Sequence, residues 1–284
     1  MTTYAVTGST GHLGRLVVQE LLARGVPATD VVALARTPEK AAALGVPVRP
    51  VDYSDPATLP VALAGVDVLL LVSGSEVGKR LPQHTAVIEA AKAAGVQRVA
   101  YTSIANAEHS ANPLTPEHKA TEDVLRASGL PFTILRDNWY LENYTAQLPQ
   151  YLATGEVLGI DGDARIGAAT RADMAVAITT ALLDADTAGA TFELSGPPIT
   201  LAGLTETITE VTDTKVAYRS VTAEELTAIL RGTGMDDATA AFVVALEESV
   251  ARGDLDLDVR GDDLERLLGR PATTLADALR AASA

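Results

Sequence analysis

The strongest constraint on what this chain can fold into is a triple of glycines near its start. Gly8, Gly11 and Gly14 are spaced G-x-x-G-x-x-G, directly after a β-branched run at 4–7 and directly ahead of an amphipathic stretch at 12–23 that carries Leu13, Val17, Leu21 and Leu22 on one face. Glycine at the first position allows a tight turn, at the second it lets the backbone approach a diphosphate, and at the third it lets helix and strand pack closely. The helix N-terminus behind such a loop offers free N–H groups and a partial positive charge to an anion. In this strand–loop–helix setting, Gly8-Ser9-Thr10-Gly11-His12-Leu13-Gly14 reads as a dinucleotide-binding turn.

The same rhythm continues to residue 136. Runs at 31–35, 48–51, 67–73, 98–103 and 132–136 predict strands, and 82–94 and 116–128 predict helices. Strands separated by helix-length segments imply right-handed βαβ units. After about residue 144 the pattern changes. Residues 155–163 are rich in Gly and Asp and are expected to be loops; 173–183 predicts a helix and 191–194 a strand. From 201 the chain is mostly helical apart from a strand at 215–219, and Thr222 and Glu225 have the spacing of a capping box. The expected class is α/β: a Rossmann-type doubly wound parallel sheet with a smaller mixed, mostly helical C-terminal lobe. The expected division assigns 1–150, together with roughly 168–196, to an NADP-binding domain. It assigns 197–284, with 151–167, to a smaller substrate-side lobe.

Composition narrows the function. The chain has 284 residues, 47% hydrophobic and 21% charged, the balance of a globular protein with a full core. A formal net charge of −15 argues against nucleic acid and anionic membrane as partners. The absence of cysteine excludes disulfides, thiolate chemistry and Cys-based zinc sites. The four histidines lack metal-ligand spacing, so no metal is expected. The N-terminal MTTYAVTGST has no signal-peptide pattern, and the apolar runs at 68–72 and 240–246 are too short to span a bilayer, which points to the cytoplasm.

The end of the second expected strand identifies the cofactor. NAD sites place a carboxylate there for the ribose 2′-hydroxyl. Here the strand ends Leu34-Ala35-Arg36-Thr37, and Lys40 follows one helical turn later. Arg36 and Lys40 suit a 2′-phosphate, so NADPH is expected. Asp52 and Tyr53, after the third strand, border the adenine, or Asp52 caps the helix that follows near Asp55. His12 is expected to fill space beside the phosphates, and His84 and His109 have no expected role beyond surface or capping.

Several segments resemble the NmrA-like branch of the atypical short-chain dehydrogenases, and within it the bacterial NADPH-dependent quinone oxidoreductases of type 2. They are TGSTGHLG, the strand ending ALAR, LLLVSGSEVGKRLPQH at 69–84, YTSI at 101–104, EHKATE at 117–122, LRDNWYLENY at 135–144, the Arg171-Ala172-Asp173 pattern and the ending from Pro271 to Leu275. The resemblance implies that residues 8–14 hold the diphosphate and Arg36 the 2′-phosphate. It further implies that Ser73, Gly74 and Ser75 line the cofactor, with Thr102 and Ser103 near the nicotinamide ribose. Asn138, Trp139, Tyr140 and Asn143 would border nicotinamide and substrate, with Arg171 on the substrate side. For Trp139, packing between lobes is the favoured reading.

The implied activity is hydride transfer from NADPH to a quinone or a similar flat electrophile, without flavin. Ordinary short-chain dehydrogenases use a Tyr-x-x-x-Lys helix as proton donor, and this chain has none. Thr115 and Lys119 mimic the spacing, but helical periodicity groups His118, Thr121 and Glu122 with Leu125 on an inner face and turns Lys119 towards Asp123. His118 either contacts the nicotinamide ribose or is a half-buried histidine bonded to a carbonyl. A quinone accepts hydride at a low barrier, so catalysis is expected to rest on positioning, with His118 and Tyr140 as its catalytic candidates. Without a Tyr-x-x-x-Lys pair, a non-catalytic NADP(H)-sensing regulator stays open, as does a reductase of another aromatic acceptor such as a triphenylmethane dye. A homodimer also stays open.

Overall fold

The computed structural model describes residues 1–257 and 262–283. Six strands arise in the first half: β1 (Tyr4–Val6), β2 (Val31–Ala35), β3 (Val48–Pro50), β4 (Val68–Leu71), β5 (Arg98–Ile104) and β6 (Phe132–Asp137). Every residue of β2, β4 and β5 is buried, as a parallel sheet covered on both faces demands. The chain then leaves for β7 (Trp139–Tyr140), β8 (Glu156–Gly159) and β9 (Ile166–Ala169), returns as β10 (Thr191–Leu194), and adds β11 (Pro198–Ile199) and β12 (Ala217–Ser220). The main sheet is seven-stranded and parallel in the order β10-β6-β5-β4-β1-β2-β3. It is a Rossmann-type α/β sheet, and its strand order reverses between β1 and β4, opening a crevice above their carboxyl ends.

Helices cover both faces. On one side α1 (His12–Ala23) buries Leu13, Val17 and Leu21 beside Met174, Ile178 and Leu182 of the helix Arg171–Leu183. On the other, α2 (Leu59–Leu63), α3 (Arg80–Ala94) and α4 (Thr115–Ala127) bury Leu63, Ile88 and Leu125 among others. A third core joins Leu141, Tyr144, Leu148 and Tyr151 to Leu204, Ile208, Val250 and Leu279. Leu141, Tyr144 and Leu148 belong to this third core because the chain quits the main sheet after Asp137. The capping box forms as expected, with the Thr222 side chain accepting from the Glu225 N–H and Glu225 accepting from the Thr222 N–H.

The expected loop at 155–163 is in part a strand. β8 pairs parallel with β12, from Glu156 opposite Ala217 to Gly159 opposite Ser220. Glycine and aspartate there signal the turns on either side, and the pairing itself depends on a partner sixty residues further along the chain. β7 and β9 were also not expected. They are only two and four residues long, too short for periodicity to register, and they pair Trp139 with Ala168 and Tyr140 with Ala169.

A buried ion network locks β6 to its surroundings. The Arg136 guanidinium donates to both Glu122 oxygens at 2.9 and 2.6 Å, to Glu193 at 2.9 Å and to Glu108 at 2.9 Å. The Ser103 hydroxyl donates to the same Glu122 carboxylate at 2.6 Å. This ties α4, β5, β6 and β10 into one unit, and a guanidinium so buried is costly to strip of its partners.

The glycine turn closes as its spacing predicts. Gly8 has φ +58, a left-handed backbone that favours glycine. Gly14 is packed so closely that a Cβ there would stand 2.5 Å from the Gly8 carbonyl oxygen and 2.9 Å from that of Thr7. Gly14→Ala is expected to lose about 1–3 kcal/mol of stability through overpacking. A lower urea midpoint with an unchanged slope is the measurement that checks it.

Candidate functional site

The crevice at the switch point is a cleft of about 480 Å³, within the range of small-molecule sites. Gly8, Thr10, Gly11, His12, Leu13 and Gly14 form one wall and Ser73, Gly74, Ser75 and Thr102 the floor, while Arg36, Asp52, Tyr53 and Tyr140 stand around the rim. α1 opens at Gly11 without a side-chain cap, so its first N–H groups face the cleft with no intrahelical partner. Arg36 is exposed and reaches the Glu76 carboxylate at 3.3 Å, and Glu76 also pairs with Lys79 at 3.1 Å. Asp52 turns back on its own loop, accepting from the Ser54 N–H, and Asp55, not Asp52, caps the turn that follows.

The floor is held from behind, and His84 does much of the holding. It is fully buried, and its Nε2 accepts from the Gly74 N–H at 3.0 Å. Its Nδ1 lies 3.2 Å from the Thr121 hydroxyl, which itself donates to the Glu117 carbonyl. Thr121 thus spends its hydrogen on Glu117, and the imidazole carries its proton on Nδ1. Burial, then the Arg80 charge, pushes the His84 pKa down to about 3. Arg80 donates to the Gly74 carbonyl at 2.9 Å, and the Glu117 carboxylate accepts from the N–H groups of Gly78 and Arg80. The loop 73–80 is clamped on both sides of Gly74. Thr102 accepts from the Ser73 N–H, and Thr7 from that of Val72, tying the ends of β1, β4 and β5 together.

Several expected site residues sit elsewhere. His118 is buried behind the floor, 2.8 Å from the Tyr101 phenol, and does not line the cleft. Burial holds its pKa well below the usual histidine range, so it is neutral. Its side-chain partner here is the Tyr101 phenol rather than a carbonyl. His84, given only a surface or capping role from sequence, is instead the floor's main support. The spacing that signalled it is its place one turn into α3, directly after the cleft-lining loop. The Ser9 hydroxyl donates to the Leu34 carbonyl and Ser103 to Glu122, so both serve the scaffold. Asn138 is buried and donates to Ser195 and the Leu255 carbonyl, anchoring the lobe. Lys40 is exposed and away from the cleft lining, because 38–44 winds as a tight 3₁₀ stretch that turns it outward. Lys119 faces outward and pairs with Asp123 as periodicity predicts.

On the substrate side, Tyr140 faces the cleft with its ring under the Arg171 guanidinium, 4.5 Å from the centroid. Arg171 also donates to Asn143 at 3.0 Å. Asn143 thus orients Arg171, while Trp139 packs against the lobe core. Asp137, not singled out from sequence, accepts from the Tyr140 hydroxyl at 2.8 Å.

Residues 8–185 match the family model described as NAD(P)H-binding. The chain is 42% identical to quinone oxidoreductase 2 of Escherichia coli over 97% of its own length and 96% of that protein's. It is 32% identical, over 98% of its length and 94% of the relative's, to an NmrA-like family domain-containing oxidoreductase of Aspergillus flavus. Among solved structures it matches the E. coli NADPH-dependent quinone oxidoreductase complexed with NADPH. That TM-score is 0.94 at 41% identity, covering 99% of this chain and 100% of that one. The Citrobacter sp. triphenylmethane reductase complexed with NADP(H) matches with a TM-score of 0.93 at 34% identity, covering 99% and 100%. No described helix is long and apolar enough to cross a membrane.

The neutral His84 has a consequence for acid stability. Its folded pKa is depressed, so the unfolded chain binds a proton that the native state refuses as pH falls from about 6.5 towards about 3. The stability it contributes is complete above that window and is lost as pH falls through it. Relative to His84→Gln, the wild type is expected to lose about 2 kcal/mol between about pH 7.5 and about pH 5, which urea midpoints at the two pH values measure.

Proposed function

This chain belongs to the NAD(P)H-binding NmrA-like family, and from that premise we propose that it is an NADPH-dependent oxidoreductase that reduces quinones or similarly flat electrophiles without flavin. The observation that carries the reading is the near full-length likeness to a quinone oxidoreductase, set on a cleft whose residues fit the cofactor. The fit rests on this chain's own features. The left-handed turn at Gly8 and the uncapped start of α1 suit a diphosphate, and β2 ends without a carboxylate and passes into Arg36.

When bound, reduced nicotinamide supplies a hydride, that is, two electrons with one proton. The chain supplies position. N–H groups from the glycine turn hold the diphosphate, and Arg36 exchanges Glu76 for the 2′-phosphate. The clamped floor at Ser73, Gly74 and Thr102 fixes the depth of the site. Tyr140, stiffened by Arg171, offers a flat face to an aromatic acceptor at the cleft's open side. The same reading makes the partner a small molecule rather than nucleic acid or membrane and puts the protein in the cytoplasm. A homodimer stays open in it.

Two measurements test the proposal. Purified protein, NADPH and a panel of benzoquinones are expected to lose nicotinamide absorbance at a protein-dependent rate. Tight NADPH binding with no oxidation would sink the enzyme reading in favour of an NADP(H) sensor. Arg36→Ala is expected to cut the preference for NADPH over NADH by about tenfold to a hundredfold, the range of a charge-assisted pair. A preference left intact would refute the 2′-phosphate role.

A further inference from the structure

β6 ends on Asp137, which is 6% exposed and stands in the sheet between Ile104 of β5 and Leu194 of β10, both uncharged. Its Oδ2 accepts from the Tyr140 hydroxyl at 2.8 Å, whereas its Oδ1 is buried with no hydrogen-bond partner. A carboxylate buried that way lacks the donors that would repay its lost hydration, and a neutral acid suits the position better. Burial accordingly pushes Asp137 up to about 7. Tyr140 is held well above the usual tyrosine range, chiefly by burial, so its phenol keeps its proton. The ring cannot swing freely, because Arg171 lies over it and is itself held by Glu142 and Asn143. Its hydroxyl is therefore fixed on a buried acid, on a residue that itself lines the cleft.

Resting on the quinone-reductase reading, we propose that Tyr140 donates the second proton to the reduced acceptor, with Asp137 as the positioning residue that holds its hydroxyl and replaces that proton. Hydride alone would leave a hydroquinone monoanion, one proton short, so the proton moves in the same step as the hydride and the donor bears on the rate of NADPH oxidation. The Tyr140 O–H bond breaks as the new O–H bond on the hydroquinone forms. The Asp137 O–H bond then breaks as the Tyr140 O–H bond re-forms, across the same 2.8 Å contact run in the opposite direction. The Asp137 carboxylate regains its proton from water. One proton is consumed per turnover, and nothing is oxidised or reduced beyond the cofactor and the quinone. The relay also accounts for the missing Tyr-x-x-x-Lys pair, since the phenol approaches from β7 instead of from α4.

The sign of the pH dependence follows from Asp137. The relay is loaded when that acid is protonated, so the rate holds below about pH 7 and falls above it. The charged and titratable groups facing the pair are Arg171 and Glu142, with His12 on the same cleft.

Tyr140→Phe keeps the ring under Arg171 and removes only the hydroxyl, while Asp137→Asn keeps the shape and removes the acid. Both are expected to lower the single-turnover rate of NADPH oxidation by about a hundredfold at about pH 6.5 and to lose the fall above neutrality. Both are also expected to lose the solvent deuterium isotope effect and to bind NADPH as the wild type does. In cofactor-free protein, the difference infrared spectrum between about pH 6 and about pH 8 is expected to show a protonated carboxyl that Asp137→Asn lacks. Variants that turn over at the wild-type rate with its pH profile would overturn the relay and leave the quinone-reductase reading standing. A hydroxyl loss that weakens NADPH binding in step with the rate would reduce Tyr140 to a structural role and overturn it too. A wild type that oxidises no NADPH with any quinone would overturn both.

Discussion

The rest of this structure depends on how closely α1 can approach β1. With no side chain at position 14, the helix starts against the carbonyls of Thr7 and Gly8, and the left-handed Gly8 turns the chain between them. That contact sets the height at which the helix N-terminus stands above the sheet. The order reversal between β1 and β4 then leaves open space beside that N-terminus. The anion site is thus a product of backbone packing, and the Ser9 hydroxyl, bonded to the Leu34 carbonyl, and the Leu13 side chain, packed on the core cluster, brace it.

Opposite this wall, a polar layer does for the floor what glycine does for the turn. His84, Thr121, Arg80 and Glu117 pin Gly74 by both its N–H and its carbonyl, and the His84 ring meets those of Tyr53 and Tyr101 edge to face, with His118 tilted against Tyr101. A buried imidazole that must accept from a backbone N–H cannot also carry a second proton, so satisfied hydrogen bonding and charge neutrality are one condition here. The floor is held by groups on α3 and α4 that never meet the cleft.

How much of this was legible in the sequence follows from the range over which each signal acts. The glycine turn, the strand–helix rhythm and the inner face of α4 are local patterns, and they sit where periodicity put them, with His118, Thr121, Glu122 and Leu125 all buried. Arg36 lines the cleft because the end of β2 is itself a local landmark. The misplacements are non-local. His84 looked like a surface residue because its partner, Gly74, lies across a turn whose shape no pattern encodes. β7, β8 and β9 depend on partners far along the chain, and Lys40 was carried by helical spacing into a segment that is 3₁₀. Asp137 and Ser103 share strand ends with residues of the cleft, but which way each side chain turns was settled by Tyr140 and by the Glu122–Arg136 network.

The route of the chain through β10 has a consequence for the order of assembly. β6 lies inside the sheet only because β10 pairs with its outer edge, and between the two the chain makes the whole excursion through β7, β8 and β9. Until residue 194 is available, β6 is an open edge, and the guanidinium of Arg136 lacks the Glu193 carboxylate. A nascent chain therefore cannot finish the nucleotide-binding sheet first and append the lobe afterwards. The lobe's first segment, through β7, β8 and β9, has to be made, and set aside, before the sheet can close. Such long-range closure slows folding and couples the two units, so that a cut between them leaves neither whole.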